Sequence, residues 1–130
     1  MTFATSRLPA DPTETAPDGS AVRVLLGLTN GTMAHFEWAA GATSRAATHR
    51  TVEEVWFVLS GRGELWREQA GREEVVALEP GVCVTLPHGT HFQVRASRTD
   101  AVAVVAVTIP RWPGDEEVAF VPGPWKHSVS

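Results

Sequence analysis

The chain contains a single cysteine, Cys83, so no disulfide can close within it. No apolar run approaches the roughly 18 residues of a membrane-spanning helix. The N-terminal stretch MTFATSRLPADPTETAPDGS lacks an apolar core of signal-peptide length. Basic residues do not predominate: 11 Lys and Arg stand against 15 Asp and Glu, a formal net charge of −4, and the pI is near 5.7. Nucleic acid calls for a clustered basic surface, so that partner class is disfavoured. No segment carries a sustained 3.6-residue apolar period with helix caps. A glycine-rich phosphate loop and a G-x-S-x-G elbow are both missing. What these absences leave is the expectation of a soluble, cytoplasmic protein without nucleic-acid or membrane partners.

What is present is a series of short β-like runs. At 130 residues the chain is long enough for one sizeable core and too short for two. Residues 1–20 hold Pro9, Pro12 and Pro17 among Thr, Asp and Ala, a composition that predicts an extended or mobile arm. From Ala21 to Ile109 the pattern changes. AVRVLLGLT (21–29) and TMAHFEW (32–38) flank Asn30-Gly31, a strong hairpin signal. EEVWFVLS (53–60), GELWRE (63–68), REEVVAL (72–78), VCVTL (82–86), HFQVRA (91–96) and AVAVVAVTI (101–109) follow, separated by Gly- and Pro-containing turns. Eight or nine short strands at regular spacing predict a sandwich or small barrel, the latter able to hold one small ligand. Residues 110–130, with Trp112, Phe120 and Trp125 among several prolines, read as an irregular strap covering the barrel or a partner subunit.

The chemistry-bearing residues cluster at strand ends. In THRTVEEVWFVLSG (48–61), Glu54, Trp56 and Val58 share one strand face and Glu53, Val55, Phe57 and Leu59 the other. Both faces are largely apolar, so one glutamate starts on a buried face, where an unpartnered carboxylate is costly. A metal ion would offset that cost. His91 opens HFQVRA with Gln93 on its face. His49, Glu54 and His91 could meet inside a barrel as two imidazoles and one carboxylate, a set that suits Fe, Mn, Zn or Ni and leaves positions open for substrate.

At these residues the chain resembles the cupins. Their first motif is G-x5-H-x-H-x(3 or 4)-E-x6-G. Gly41, Ala47, His49, Glu54 and Gly61 fall at its spacings, with Ala47 where the first metal-binding His stands. The second, G-x5-P-x-G-x2-H-x3-N, is met by Gly81, Pro87 and Gly89; His91 then arrives one residue early and Arg95 replaces the Asn. The resemblance covers roughly residues 34–109. It implies an all-β, cupin-type β-barrel (a double-stranded β-helix or jelly roll), often dimeric, with a metal site in the barrel mouth. Cupins of this size include dioxygenases, isomerases and decarboxylases.

Two registers are open for the last strand of the site. With His91 inward, Gln93 becomes a fourth ligand or a hydrogen-bond partner for substrate; with Phe92 inward, both point away. The first is favoured here, since it completes a three-ligand set. The expectation is therefore a divalent metal held by His49, Glu54, His91 and Gln93, and a substrate pocket walled by Trp38, Trp56 and Gln93. Acting on a small organic molecule, the protein would be a metal-dependent oxygenase or isomerase; the alternative is a non-catalytic metal- or ligand-binding module. Barrel edges and the resemblance together predict a homodimer. His35 reads as a surface or interface residue on the hairpin, His88 as an exposed turn residue, His127 as inert tail, and Cys83 as a small buried hydrophobe.

Overall fold

The computed structural model describes residues 2–128. Eleven strands form two antiparallel sheets: β1 (Glu14–Thr15), β2 (Ala21–Leu28), β3 (Gly31–Trp38), β4 (Ala47–His49), β5 (Glu53–Ser60), β6 (Gly63–Gln69), β7 (Arg72–Leu78), β8 (Cys83–Leu86), β9 (His91–Ala96), β10 (Val102–Ile109) and β11 (Val118–Phe120). One sheet runs β1-β2-β3-β10-β5-β8 and the other β11-β4-β9-β6-β7. The single helical element is a 3₁₀ turn at Asp115–Glu117, so among the described residues no helix is long and apolar enough to cross a membrane.

The pattern of each strand follows from what covers it. β10 is paired on both sides, by β3 and β5, and reads as the nearly unbroken apolar run VAVVAVTI expected of a central strand. β5 alternates strictly, with Glu54, Trp56 and Val58 inward and Val55, Phe57 and Leu59 outward. Between the sheets lies a core that includes Trp38, Trp56, Leu65, Val58, Val94 and Val104. Two turns impose special backbone. Gly61 sits at φ +82°, where a Cβ would come within 1.7 Å of the Ala101 carbonyl oxygen. Ala70 and Gly71, at φ 52° and 81°, close the β6–β7 hairpin between the paired residues Gln69 and Arg72, the two-residue turn with both φ positive.

The segments flanking the barrel are fixed to it. Arg23 on β2 donates from Nε to the Pro9 carbonyl and from its other nitrogens to the Ala10 carbonyl and Glu37. The stretch before β2, expected as an extended or mobile arm, is held along the sheet at Pro9 and Ala10 and adds β1 to its edge. After β10, the strap returns across the other sheet. β11 pairs with β4, Arg45 stacks 3.6 Å over Phe120 and Arg95 4.1 Å over Trp125. His35, expected as a surface or interface residue on the hairpin, is buried between Arg23 and Val105 on neighbouring strands, and burial, then the Arg23 charge, push its pKa below the ordinary histidine value. One expectation is corrected. Cys83 is exposed, because β8 is an edge strand whose outward face carries it with Thr85.

Candidate functional site

A cavity of about 270 Å³ borders the core, sharing Trp38, Ala47, Trp56 and Phe92 with it. Its floor and walls are aromatic. Trp38 and Trp56 lie 5.4 Å apart between ring centroids, and Phe36 meets both edge-on at 6.2 Å. Phe92 meets Trp56 edge-on at 6.0 Å. His49 stands between Phe92 and Trp112, its ring 5.2 and 5.3 Å from theirs. Three short segments bring the polar groups: β4 supplies His49, β5 supplies Glu54, and the turn before β2 supplies Asp18.

Glu54 is buried with both oxygens engaged. The Trp56 indole N–H donates to Oε1 at 3.0 Å, and the Thr108 hydroxyl, from the cross-strand neighbour on β10, donates to Oε2 at 2.6 Å. The cost of the buried carboxylate is thus offset by two neutral donors and needs no cation. Asp18 belongs to the turn Asp18-Gly19-Ser20, in which the Ser20 N–H and hydroxyl both donate to its Oδ1, at 3.0 and 2.8 Å. Burial pushes the Asp18 carboxyl above its ordinary value; the Ser20 bonds and the charge of His49 oppose this without overcoming it. The Trp38 indole N–H, itself buried, faces Asp18 but has no partner at hydrogen-bond geometry. Behind His49, Glu117 accepts from the N–H groups of Thr51 and Val52 and from the Thr51 hydroxyl. Burial would raise the Glu117 pKa, but these three donors and the His49 charge together bring it below the ordinary value.

Of the residues expected here, His49, Glu54, Trp38 and Trp56 line the cavity, whereas His91 and Gln93 do not. Phe92, Val94 and Ala96 face the core, so His91, Gln93 and Arg95 face outward. A one-residue slip would exchange three apolar side chains for an imidazole, an amide and a guanidinium in the core, and the hydrophobic effect decides against it. His91 instead lies 4.0 Å from Glu68 on the outer face. Gln93 is buried beneath the strap, its amide donating to the carbonyls of Ser44 and Trp125 and accepting from the Trp125 N–H. Counted strictly, the second motif already puts Phe92, not His91, at its histidine position.

Ala47 and Phe92 are direct cross-strand partners, both buried. The two positions where the motifs carry metal-binding histidines are therefore apolar and abut. Among the described residues no three His, Cys, Asp or Glu side chains converge as a metal-holding group. The donor set does not fit a divalent ion. The groups that sequence reasoning missed are Asp18, Thr108 and Trp112. The signal for the first was the Asp-Gly-Ser turn signature.

The Cupin domain family matches residues 34–109, more than half of the chain. The chain belongs to the cupin family. Solved structures with the same fold include KdgF from a Halomonas species, at TM-score 0.67 and 20% identity over 82% of this cupin and 96% of that chain. A Streptomyces PAC13 variant with uridine aligns at TM-score 0.69 and 13% identity, over 92% of both. The capsular polysaccharide assembling protein CapF from Staphylococcus aureus aligns at TM-score 0.68 and 14% identity over 83% of this cupin, which spans only 33% of the CapF chain. No curated protein matches the sequence. At these identities the likeness is one of fold.

Proposed function

We propose that this cupin binds one small organic molecule in the barrel mouth and works through its own side chains, without a resident divalent ion. The observation that carries the reading is the Ala47–Phe92 pair in the place of two histidines. Structural metal sites take four donors and catalytic ones at least three; His49 remains, and Glu54 is already satisfied by Trp56 and Thr108. The aromatic walls and the cavity volume of about 270 Å³ suit a ligand of one ring. That a structural neighbour was solved with uridine supports the broader reading of the mouth as a site for a small organic molecule.

Of the reaction types the family brings, dioxygenase and isomerase, the side chains favour the second. Burial raises the pKa of the Asp18 carboxyl above the ordinary range, and His49 lines the same cavity. An imidazole that accepts a proton beside a carboxyl that returns one moves hydrogen between two positions of a substrate with no co-reactant. A second copy of the chain is the proposed protein partner, packed on the outer face of the six-stranded sheet, where Met33, Val55, Phe57 and Leu59 are 39%, 41%, 47% and 44% exposed. The proposed location is the cytoplasm, which suits a lone exposed thiol.

The test is direct. The protein is purified after growth with Fe, Mn, Zn or Ni supplied, and bound metal is quantified for the native chain and for His49→Ala. We expect content well below one ion per chain and equal in the two. Stoichiometric metal that disappears in His49→Ala would overturn the reading. A thermal-shift screen of neutral organic molecules is expected to give stabilising hits that His49→Ala weakens.

A further inference from the structure

We propose that the mouth recognises a neutral planar ring carrying a carbonyl next to a ring N–H, a lactam edge, by setting that edge against the Trp38 indole N–H and Oδ2 of Asp18. The inference rests on the reading of the mouth as a small-molecule site and names the chemistry it selects.

Three observations carry it. The Trp38 indole N–H is buried and directed at Asp18 without reaching full hydrogen-bond geometry with it, and Trp38 lines the cavity. Native proteins pair nearly all buried donors, so this one awaits an acceptor. Beside it, both Ser20 bonds fall on Oδ1 of Asp18; among the described residues no group bonds to Oδ2, which is left for the cavity. A carbonyl oxygen on the indole N–H and an adjacent ring N–H on Oδ2 would satisfy both at once. Second, the cavity is acidic: Asp18, Glu54, Glu14 and Asp115 line it, while the one cation, Arg111, donates to the Leu28 carbonyl at 2.5 Å. An anionic ligand would meet repulsion there and a neutral one would not. Third, the Phe92 and Trp112 rings beside His49, with Trp56 edge-on to Phe92, offer faces and edges to a flat ring, and the volume admits one ring with a small substituent.

The experiment uses 2-pyridone as the probe, with N-methyl-2-pyridone, benzoate and toluene as comparators, on the full-length protein labelled with ¹⁵N. The chain has five tryptophans, and Trp38→Phe removes one indole N–H signal and so assigns Trp38. Saturable movement of that signal with 2-pyridone is expected. Binding should weaken at least tenfold in Trp38→Phe and in Asp18→Asn, whose remaining indole signals report an intact barrel. N-methyl-2-pyridone and benzoate should each bind at least tenfold more weakly. Binding of 2-pyridone undiminished in both folded variants would overturn the proposal. So would a Trp38 signal that 2-pyridone leaves unmoved. If toluene then shifts the Trp56 and Trp112 indole signals saturably, the cavity still binds small molecules and only the lactam assignment falls. If no probe moves any indole signal, the proposed function falls with it.

Discussion

Glu117 shows how much a single side chain can hold. Its carboxylate gathers three donors from Thr51 and Val52, just past His49. Glu117→Ala would strand two backbone N–H groups and should destabilise the fold by about 2–4 kcal/mol in chemical denaturation. Its lowered pKa fixes the sign with pH: the stabilisation is full above the ordinary glutamate value and is lost as pH falls through the lower folded value. Asp18 has the opposite sign. Its raised pKa means the folded state holds the proton more tightly, so its contribution is present below the ordinary aspartate value and lost as pH rises through the raised one. Asp18→Asn keeps an oxygen for Ser20 and should raise the melting temperature at neutral pH but not at about pH 3, a comparison that thermal unfolding at the two pH values makes. Thr108→Val leaves Oε2 of buried Glu54 without its donor, and a loss of about 1–3 kcal/mol is expected by the same method.

At the scale of strands and turns, the hairpin at Ala70-Gly71 carries a cost that sequence alone did not reveal. Ala70 is the one non-glycine residue with positive φ among those described, a conformation that disfavours a Cβ by about 1–2 kcal/mol. Ala70→Asn, which tolerates it, should stabilise by about 0.5–1 kcal/mol, read as a raised denaturation midpoint. The long strands were legible because period-two alternation, as in β5, or an unbroken apolar run, as in β10, needs no tertiary information to read. β1, β4 and β11, of two or three residues each, have no pattern long enough to see. In β9 burial outranks ligand chemistry: His91 suits a metal, but Phe92, Val94 and Ala96 are the side chains that fill the core. Glu54 and His49 could be placed from spacing, whereas Asp18 could not. Its segment is held by Arg23, by the β1–β2 pairing and by the Arg45 N–H donating to the Asp18 carbonyl, contacts between positions that no local pattern connects.

For the molecule as a whole, the outer face of the six-stranded sheet carries an apolar row, Val107 lying between Met33 and Val55, beside a row in which Val105 lies between His35 and Phe57. A charge at the centre of such a face costs a monomer little and an interface much. Phe57→Glu should therefore convert a dimer to a folded monomer with unchanged circular dichroism, as light scattering after size exclusion would show; a dimer that persists would place the contact elsewhere. The mouth, for its part, is walled by positions 14–20 on one side and 111–118 on the other, stretches that enter and leave the barrel some ninety residues apart. Any guest would touch both at once. Occupancy should consequently slow amide exchange in the two flanks together, so that a molecule seated between them acts as a clasp joining segments the chain itself leaves separate.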